Sequence, residues 1–232
     1  MQIAPLQNVS LIRPSERVSE LESQVMASKG IPRVVPAALL ESYARDDVRA
    51  LMMIHGLYVF PTVELEECLR GLIDGRSAIE IGAGNGVMAE RLGIVATDNY
   101  SQAPDFNPGD KHRALMIQHR QRMIMTGTSP VSYGSNVLRQ DGISAVIKHR
   151  PAVVLGQFIT HQWHTGMEHG SVFGVEEHKL LKRADYIMVG NLITHAQKPI
   201  LARTHDEIEL SGLITRAEAS DLDRIFVFKK GV

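Results

Sequence analysis

One stretch of this chain combines residue types and a spacing that can bind a nucleoside. Glu80-Ile81-Gly82-Ala83-Gly84-Asn85-Gly86 follows a short apolar run and precedes a helical one. Twelve positions beyond Gly86, a second apolar run ends at Asp98, with Asn99 next. Glycines at this spacing permit a tight strand-to-helix turn and let a ligand approach the backbone closely. The start of the following helix is expected to offer free N–H groups. A carboxylate at Asp98 can accept two hydrogen bonds from ribose hydroxyls, each worth roughly 1.5–3 kcal/mol with a charged acceptor. Loop and acid together describe an adenosine site. The loop departs from the dinucleotide fingerprint G-x-G-x-x-G, because Val87 stands where the third glycine belongs, and it lacks the G-K-[ST] of a P-loop.

Those residues need strands to carry them, and the chain supplies a suitable alternation. Strands are predicted at Ala78–Ile81, Ile94–Thr97, Asn136–Leu138, Ala152–Ile159, Tyr186–Val189 and Arg224–Phe228. Helices are predicted between them at Val87–Leu92, Lys111–Met125, Gly142–His149 and Glu176–Arg183. Continuous apolar strands alternating with helices imply a parallel sheet covered on both faces. Ligands of such sheets bind beyond the carboxyl ends of the strands. Ahead of this core, a short helix is expected within Ser15–Met26 and a longer one over Pro36–Leu57, broken near Asp46–Asp47. Another is expected from Thr62, its N-cap, to about Gly75. The expectation is one domain over residues 1–232, with residues 1–74 forming a helical cap and 75–232 the core.

Composition narrows the function. The chain has 232 residues with 25 Lys+Arg against 26 Asp+Glu, a formal net charge of −1. That balance argues against affinity resting on a large phosphate-binding field. Cys68 is the only cysteine, so intrachain disulfides and cysteine-rich metal sites are excluded. Seven of ten histidines fall between His149 and His205. His161, His164 and His169 leave a strand in a segment broken by Gly166 and Gly170, and read as loop histidines with no metal. No targeting segment and no membrane-spanning apolar run is present in the sequence, which makes the cytoplasm the expected compartment.

The pattern E-x-G-x-G-x-G resembles motif I of the class I S-adenosylmethionine-dependent methyltransferases. The resemblance implies a Rossmann-like three-layer α/β sandwich with a mainly parallel sheet, and S-adenosylmethionine (SAM) as cofactor. It implies further that Glu80 lies near the methionine portion, facing the glycine loop Gly82, Ala83, Gly84, Asn85 and Gly86. Asp98, with Asn99 beside it, would bind the ribose, and Asp141 would approach the adenine amino group. Phe60-Pro61-Thr62-Val63-Glu64 resembles the Pro-Thr/Ser segment that some bacterial methyltransferase-like proteins place before the cofactor loop, where it helps close the pocket. A helix N-cap accounts for Pro61 and Thr62 equally well.

Acceptor-side residues in that superfamily often follow the fourth strand, here Gly156-Gln157-Phe158-Ile159-Thr160-His161-Gln162-Trp163-His164. Gln157 joins the expected cofactor site. His161 is the candidate base, since an ordinary pKa near ~6.5 lets it accept a proton at neutral pH. Trp163 would wall the acceptor pocket, and Asn191 and His195 rank second. The Asn/Asp/Ser-Pro-Pro-aromatic motif of DNA amino-methyltransferases is missing, and no cysteine stands where a cytosine-C5 enzyme needs one. The basic helix from Lys111 to Arg122 could touch a phosphate-bearing acceptor or nucleic acid. The preferred reading is a solvated face, with Leu115, Ile117, Met123 and Ile124 turned to the sheet. The resulting expectation is a SAM-dependent methyltransferase acting on a small molecule. The alternative is a SAM- or nucleotide-binding or interaction protein without catalysis, because residues 156–164 carry no recognised catalytic motif.

Overall fold

The computed structural model describes residues 12–107, 110–159 and 174–231. In the N-terminal region, α1 (Val18–Val25) leads into a hairpin of β1 (Met26–Ser28) and β2 (Ile31–Pro32). Sequence patterning gave no sign of this hairpin, which turns at Gly30 with φ 75°. α2 (Ala37–Glu41) and α3 (Arg45–Ile54) replace the single helix expected over Pro36–Leu57. The break lies at Ser42–Ala44, ahead of the predicted position. Asp47 is buried in α3, where its carboxylate accepts bonds from Ser15 N–H (2.6 Å) and Ser15 Oγ (2.8 Å). Leu21, Val25, Leu40, Leu51, Met52 and Phe60 form a buried cluster of their own. Each such side chain contributes roughly 1.5–3 kcal/mol by leaving water. The cluster is tied to the rest by Phe60 N–H donating to Ile214 O (2.8 Å) and by a bridge between Val59 and Thr215.

α4 (Val63–Ile73) begins as predicted, with Thr62 Oγ1 accepting from Leu65 N–H at 3.2 Å. Seven strands then form one sheet: β3 (Ala78–Ile81), β4 (Val95–Asp98), β5 (Val137–Arg139), β6 (Val153–Gln157), β7 (Asp185–Asn191), β8 (Asp206–Ile208) and β9 (Asp223–Phe228). Their order is β5-β4-β3-β6-β7-β9-β8. The strands from β3 to β7 run parallel, and β9 is antiparallel to both neighbours. α4 and α5 (Val87–Leu92) cover one face, burying Leu65, Leu69 and Met88 against Val153, Leu155 and Val189. α7 (Gly142–His149) and α8 (Glu177–Leu181) cover the other, with Ala145, Val146 and Leu180 against Ile79, Val154 and Tyr186. This is the expected Rossmann-like three-layer sandwich. Its order reverses between β3 and β6, which opens a crevice at their carboxyl ends.

Three expectations need correction. β8 was unforeseen; its Asp206-Glu207-Ile208 lacks an apolar run, as suits an edge strand that must resist further pairing. β6 stops at Gln157 instead of Ile159, because Phe158 turns to a positive φ of 50°. On α6 (Asp110–Met125), Met116 is the buried residue among the described side chains, while Ile117 and Ile124 are 51 % and 79 % exposed and do not face the sheet. After α6 the chain passes α3, where Ser129 N–H donates to Met53 O, and reaches the glycine loop, where Gly134 N–H donates to Gly84 O.

Candidate ligand-binding cleft

β3 delivers Glu80 to the bottom of a cleft at the carboxyl ends of β3, β4 and β6. Strand alternation sends Ile79 and Ile81 into the core under α7 and α8, leaving Glu80 on the opposite face. Glu80 is 2 % exposed. Its Oε1 accepts from Gln157 Nε2 at 2.6 Å, whereas Oε2 is buried without a hydrogen-bond partner. Burial pushes the Glu80 carboxyl up to about 7; the Gln157 bond opposes that rise, and the Asp98 charge adds to it.

The loop above Glu80 is wound by Gly82, Gly84 and Gly86 at φ 60°, 56° and 71°. A Cβ on Gly86 would stand 2.6 Å from Val137 Cγ2 and 2.7 Å from Asn136 Oδ1, so glycine alone fits there. Four N–H groups of the loop and the helix start are bonded within the protein. Ala83 N–H donates to Thr97 O and Gly86 N–H to Ala83 O, both at 3.0 Å. Val87 N–H donates to Asn85 Oδ1 at 3.0 Å, and Gly84 N–H to Asp98 Oδ2 at 3.1 Å. The free N–H groups expected at the start of α5 are therefore corrected for these positions. Asp98 Oδ1 accepts from Tyr100 N–H at 2.8 Å, yet burial still holds its carboxyl above the ordinary range.

The far wall comes from distant segments. Tyr133 stacks on Tyr100 with ring centroids 3.9 Å apart. Gln102 joins three pieces of chain, donating from Nε2 to Tyr58 Oη (2.9 Å) and accepting from Val131 N–H (3.0 Å) on Oε1. Tyr58 and Pro61 reach the cleft from the segment between α3 and α4, and His119 from α6. Burial lowers the His119 pKa, and the charges of Arg122, Arg216 and Arg120 lower it further, so the ring is neutral at pH 7. Phe158, held at φ 50°, closes the floor with its ring edge-on to His195 at 4.7 Å. A bulky residue in that conformation is a strain found most often at binding sites.

Of the residues expected from sequence, Glu80, Gly82, Ala83, Gly84, Asn85, Asp98, Asn99 and Gln157 all line this cleft. Gly86 stands behind the loop against Asn136 and Val137. Asn99 Oδ1 also accepts from Ser101 N–H at 2.9 Å. Asp141 sits beside Gly142, a lining residue, but its Oδ1 caps α7 by accepting from Ile143 and Ser144 N–H. His161, Trp163, His164 and His169 lie outside the described residues. Asn191 and His195 are 1 % exposed and do not line the cleft among the described residues. Tyr58, His119, Tyr133 and Phe158 were not foreseen as lining residues. Three had a nearby sequence signal: Tyr58 in the Pro61-Thr62 segment three residues on, Phe158 in the acceptor-side stretch 156–164, and His119 in the basic helix; Tyr133 had none.

No family model matches the chain, and no curated protein sequence matches it. Solved structures with a partial likeness exist. A Thermoplasma acidophilum protein is 15% identical, with 94% of this chain and 99% of that one covered and a TM-score of 0.33. A SAM-dependent methyltransferase from Agrobacterium tumefaciens is 11% identical over 75% of this chain and 64% of its own, with a TM-score of 0.34. An O-methyltransferase family protein from Burkholderia thailandensis is 9% identical over 92% and 67%, with a TM-score of 0.32. Likeness of this degree says nothing about what the present chain binds.

Proposed function

We propose that the cleft binds SAM and that the protein transfers its methyl group to a small acceptor. The observation that carries this reading is the use of the loop's own N–H groups. A glycine loop that cradles phosphate must leave its amides free for the anion. Here the amides of Ala83, Gly84, Gly86 and Val87 are occupied, one of them by the Asp98 carboxylate. Two acids, Glu80 and Asp98, face the space where a pyrophosphate would lie. The arrangement repels NAD and suits an adenosyl ligand with a cationic end.

The residues present fit SAM. Glu80 Oε2 is a buried acceptor lacking a donor, which the ammonium of the methionine portion would supply. Asp98 retains lone pairs for ribose hydroxyls, since each oxygen accepts one backbone bond. The Gly82 and Gly84 positions leave backbone bare where a Cβ would crowd Ile159 (3.1 Å) and Val131 (3.2 Å). Bound there, SAM supplies a methyl group already activated by a sulfonium. The protein's part is orientation: Gln157 fixes Glu80, the loop fixes Asp98, and the wall of Tyr58 and Tyr133 confines the acceptor. Neutral His119 is placed to take a proton from an acceptor group that must lose one.

Melting the protein with SAM, with S-adenosylhomocysteine (SAH) and with NAD tests the cofactor. Ligand at a hundred times Kd adds about 2.7 kcal/mol, which raises Tm by roughly 5–10 °C for a chain of this size. Either sulfur ligand is expected to shift the wild type and not Asp98→Ala. A shift with NAD alone would overturn the assignment. Formation of SAH from SAM in the presence of an acceptor pool then separates an enzyme from a binding protein.

A further inference from the structure

Residues 129–134 run from α3 to the glycine loop and serve two sides at once. Val131 and Tyr133 line the cleft. Pro130 and Ser132, which alternate with them, meet the N-terminal region. A Cβ on Gly56 would stand 2.4 Å from Pro130 O, and a Cβ on Gly30 would stand 2.2 Å from Ser132 Oγ. On the cleft side, a Cβ on Gly84 would be 3.2 Å from Val131 Cγ1. Gln102 holds both lining residues, accepting from Val131 N–H on Oε1 and donating its own N–H to Tyr133 Oη at 3.1 Å. The hairpin turn that receives Ser132 is itself fixed from behind. Gly30 N–H donates to the buried His55 at Nδ1 (3.1 Å), which leaves the ring hydrogen on Nε2 for Glu22 Oε1, also at 3.1 Å. Glu22, His55, Gly30 and Ser132 therefore form a chain of contacts that ends beside two lining residues, and none of the four lines the cleft itself. Close-packed contacts of this kind have no free volume to absorb a displacement and pass it on.

We infer that Gly30 is a positioning residue for the cleft: the hairpin turn of the N-terminal region sets, through Ser132, where Val131 and Tyr133 stand against the glycine loop and the facing wall. The Gly30–Ser132 contact has room for glycine alone, so any side chain there must move Ser132 and with it the lining residue on either side. A ligand lying on Gly84 meets Val131, and one against the wall meets Tyr133. Only the ligand arm of the test rests on the preceding reading, that SAM is what the cleft holds.

A mutant cycle of Gly30→Ala, Ser132→Gly and the pair tests the inference. Without ligand, Gly30→Ala is expected to move the NMR signals of Val131 and Tyr133. The pair should match Ser132→Gly alone, because that change removes the atoms the new Cβ would strike. With ligand, Gly30→Ala is expected to weaken SAH binding about tenfold, as for coupled sites in general, and the pair to recover the loss. Strain confined to the left-handed backbone of Gly30 would lower stability without any such recovery. Folded Gly30→Ala with Val131 and Tyr133 unmoved, or moved and not restored in the pair, would overturn the inference. Should Gly30→Ala fail to fold, Ser132→Leu presses on the same contact from the other side. The His55 imidazole signals are then expected to move, and signals left in place would overturn the inference equally. A wild type that binds no SAH removes the cofactor reading, whereas the ligand-free cycle still decides this one.

Discussion

Two buried acids lie on strands of one sheet, Glu80 on β3 and Asp223 on β9 with β6 and β7 between them, and are held in opposite ways. Asp223, at the start of β9, accepts from Asn191 Nδ2 on one oxygen and from Thr215 Oγ1 on the other, both at 2.8 Å. Its partners are saturated in turn. Asn191 Nδ2 also donates to Ala219 O, and its Oδ1 accepts from Ile193 and Thr194 N–H. Thr215 Oγ1 accepts from Ala217 N–H. Glu80 has one such bond and a bare, buried Oε2. Burial raises the pKa of both acids. A closed network of this kind fixes the chain, whereas an open one keeps a place for something that is not part of the chain. Asn191 and His195, second-rank site candidates from sequence, belong to the closed knot, where Asn191 N–H donates to His195 Nδ1 at 2.9 Å.

The contrast predicts separable effects. Asp223→Ala should be the most damaging, costing about 3 kcal/mol by orphaning two buried donors, read from the denaturant midpoint. The folded variant should still show the SAH-induced rise in Tm; losing that rise with stability intact would erase the distinction.

Glu80→Gln should act in the other direction. With a carboxyl pKa raised from 4.5 to about 7, the folded protein holds more protons than the unfolded chain between those values. Wild-type stability therefore falls as pH rises through that window. Glu80→Gln should remove the slope and be the more stable by about 3 kcal/mol at pH 8, with no difference below pH ~4. Its affinity for SAH should drop. Denaturation at several pH values checks the slope, and calorimetry the affinity.

The smallest effects come from the partners. Thr215→Val should cost about 1 kcal/mol at any pH near neutrality. Gln157→Leu should instead raise the Glu80 titration above about 7, visible in its carboxyl NMR signal, because it removes a donor to the charged form.

The side of the cleft built around Glu80 and Asp98 was legible in the sequence because its residues are contiguous. Glu80 to Gly86 is one strand end and one turn, and Asp98 ends the adjacent parallel strand. Gln157 follows from the same rule, since it ends β6 on the other side of β3. The facing wall was not legible. Tyr58, Gln102, His119 and Tyr133 come from four separate segments, and Gln102 and Tyr133 have ordinary neighbourhoods in the chain. The direction in which α6 turns its residues was misread for a related reason. Its charges and apolar residues are not sorted by helical face, so the sequence could not show that Met116 is buried while Ile117 is exposed.

By itself, the sequence determined the succession of strands and helices, the left-handed turn that only glycines can make, and acids at the ends of β3 and β4. Those features follow from local sterics and apolar periodicity, which short stretches encode. Tertiary structure alone decided that β4 takes the Ala83 and Gly84 amides, through Thr97 O and Asp98 Oδ2, and that Glu80 keeps a bare oxygen. It also decided that Arg216, ahead of β9, lies on the ring of Tyr58, ahead of α4. Hydrogen-bond satisfaction and charge balance are properties of what is packed nearby, and in this molecule the neighbours that matter are more than a hundred residues apart: Tyr58 and Arg216.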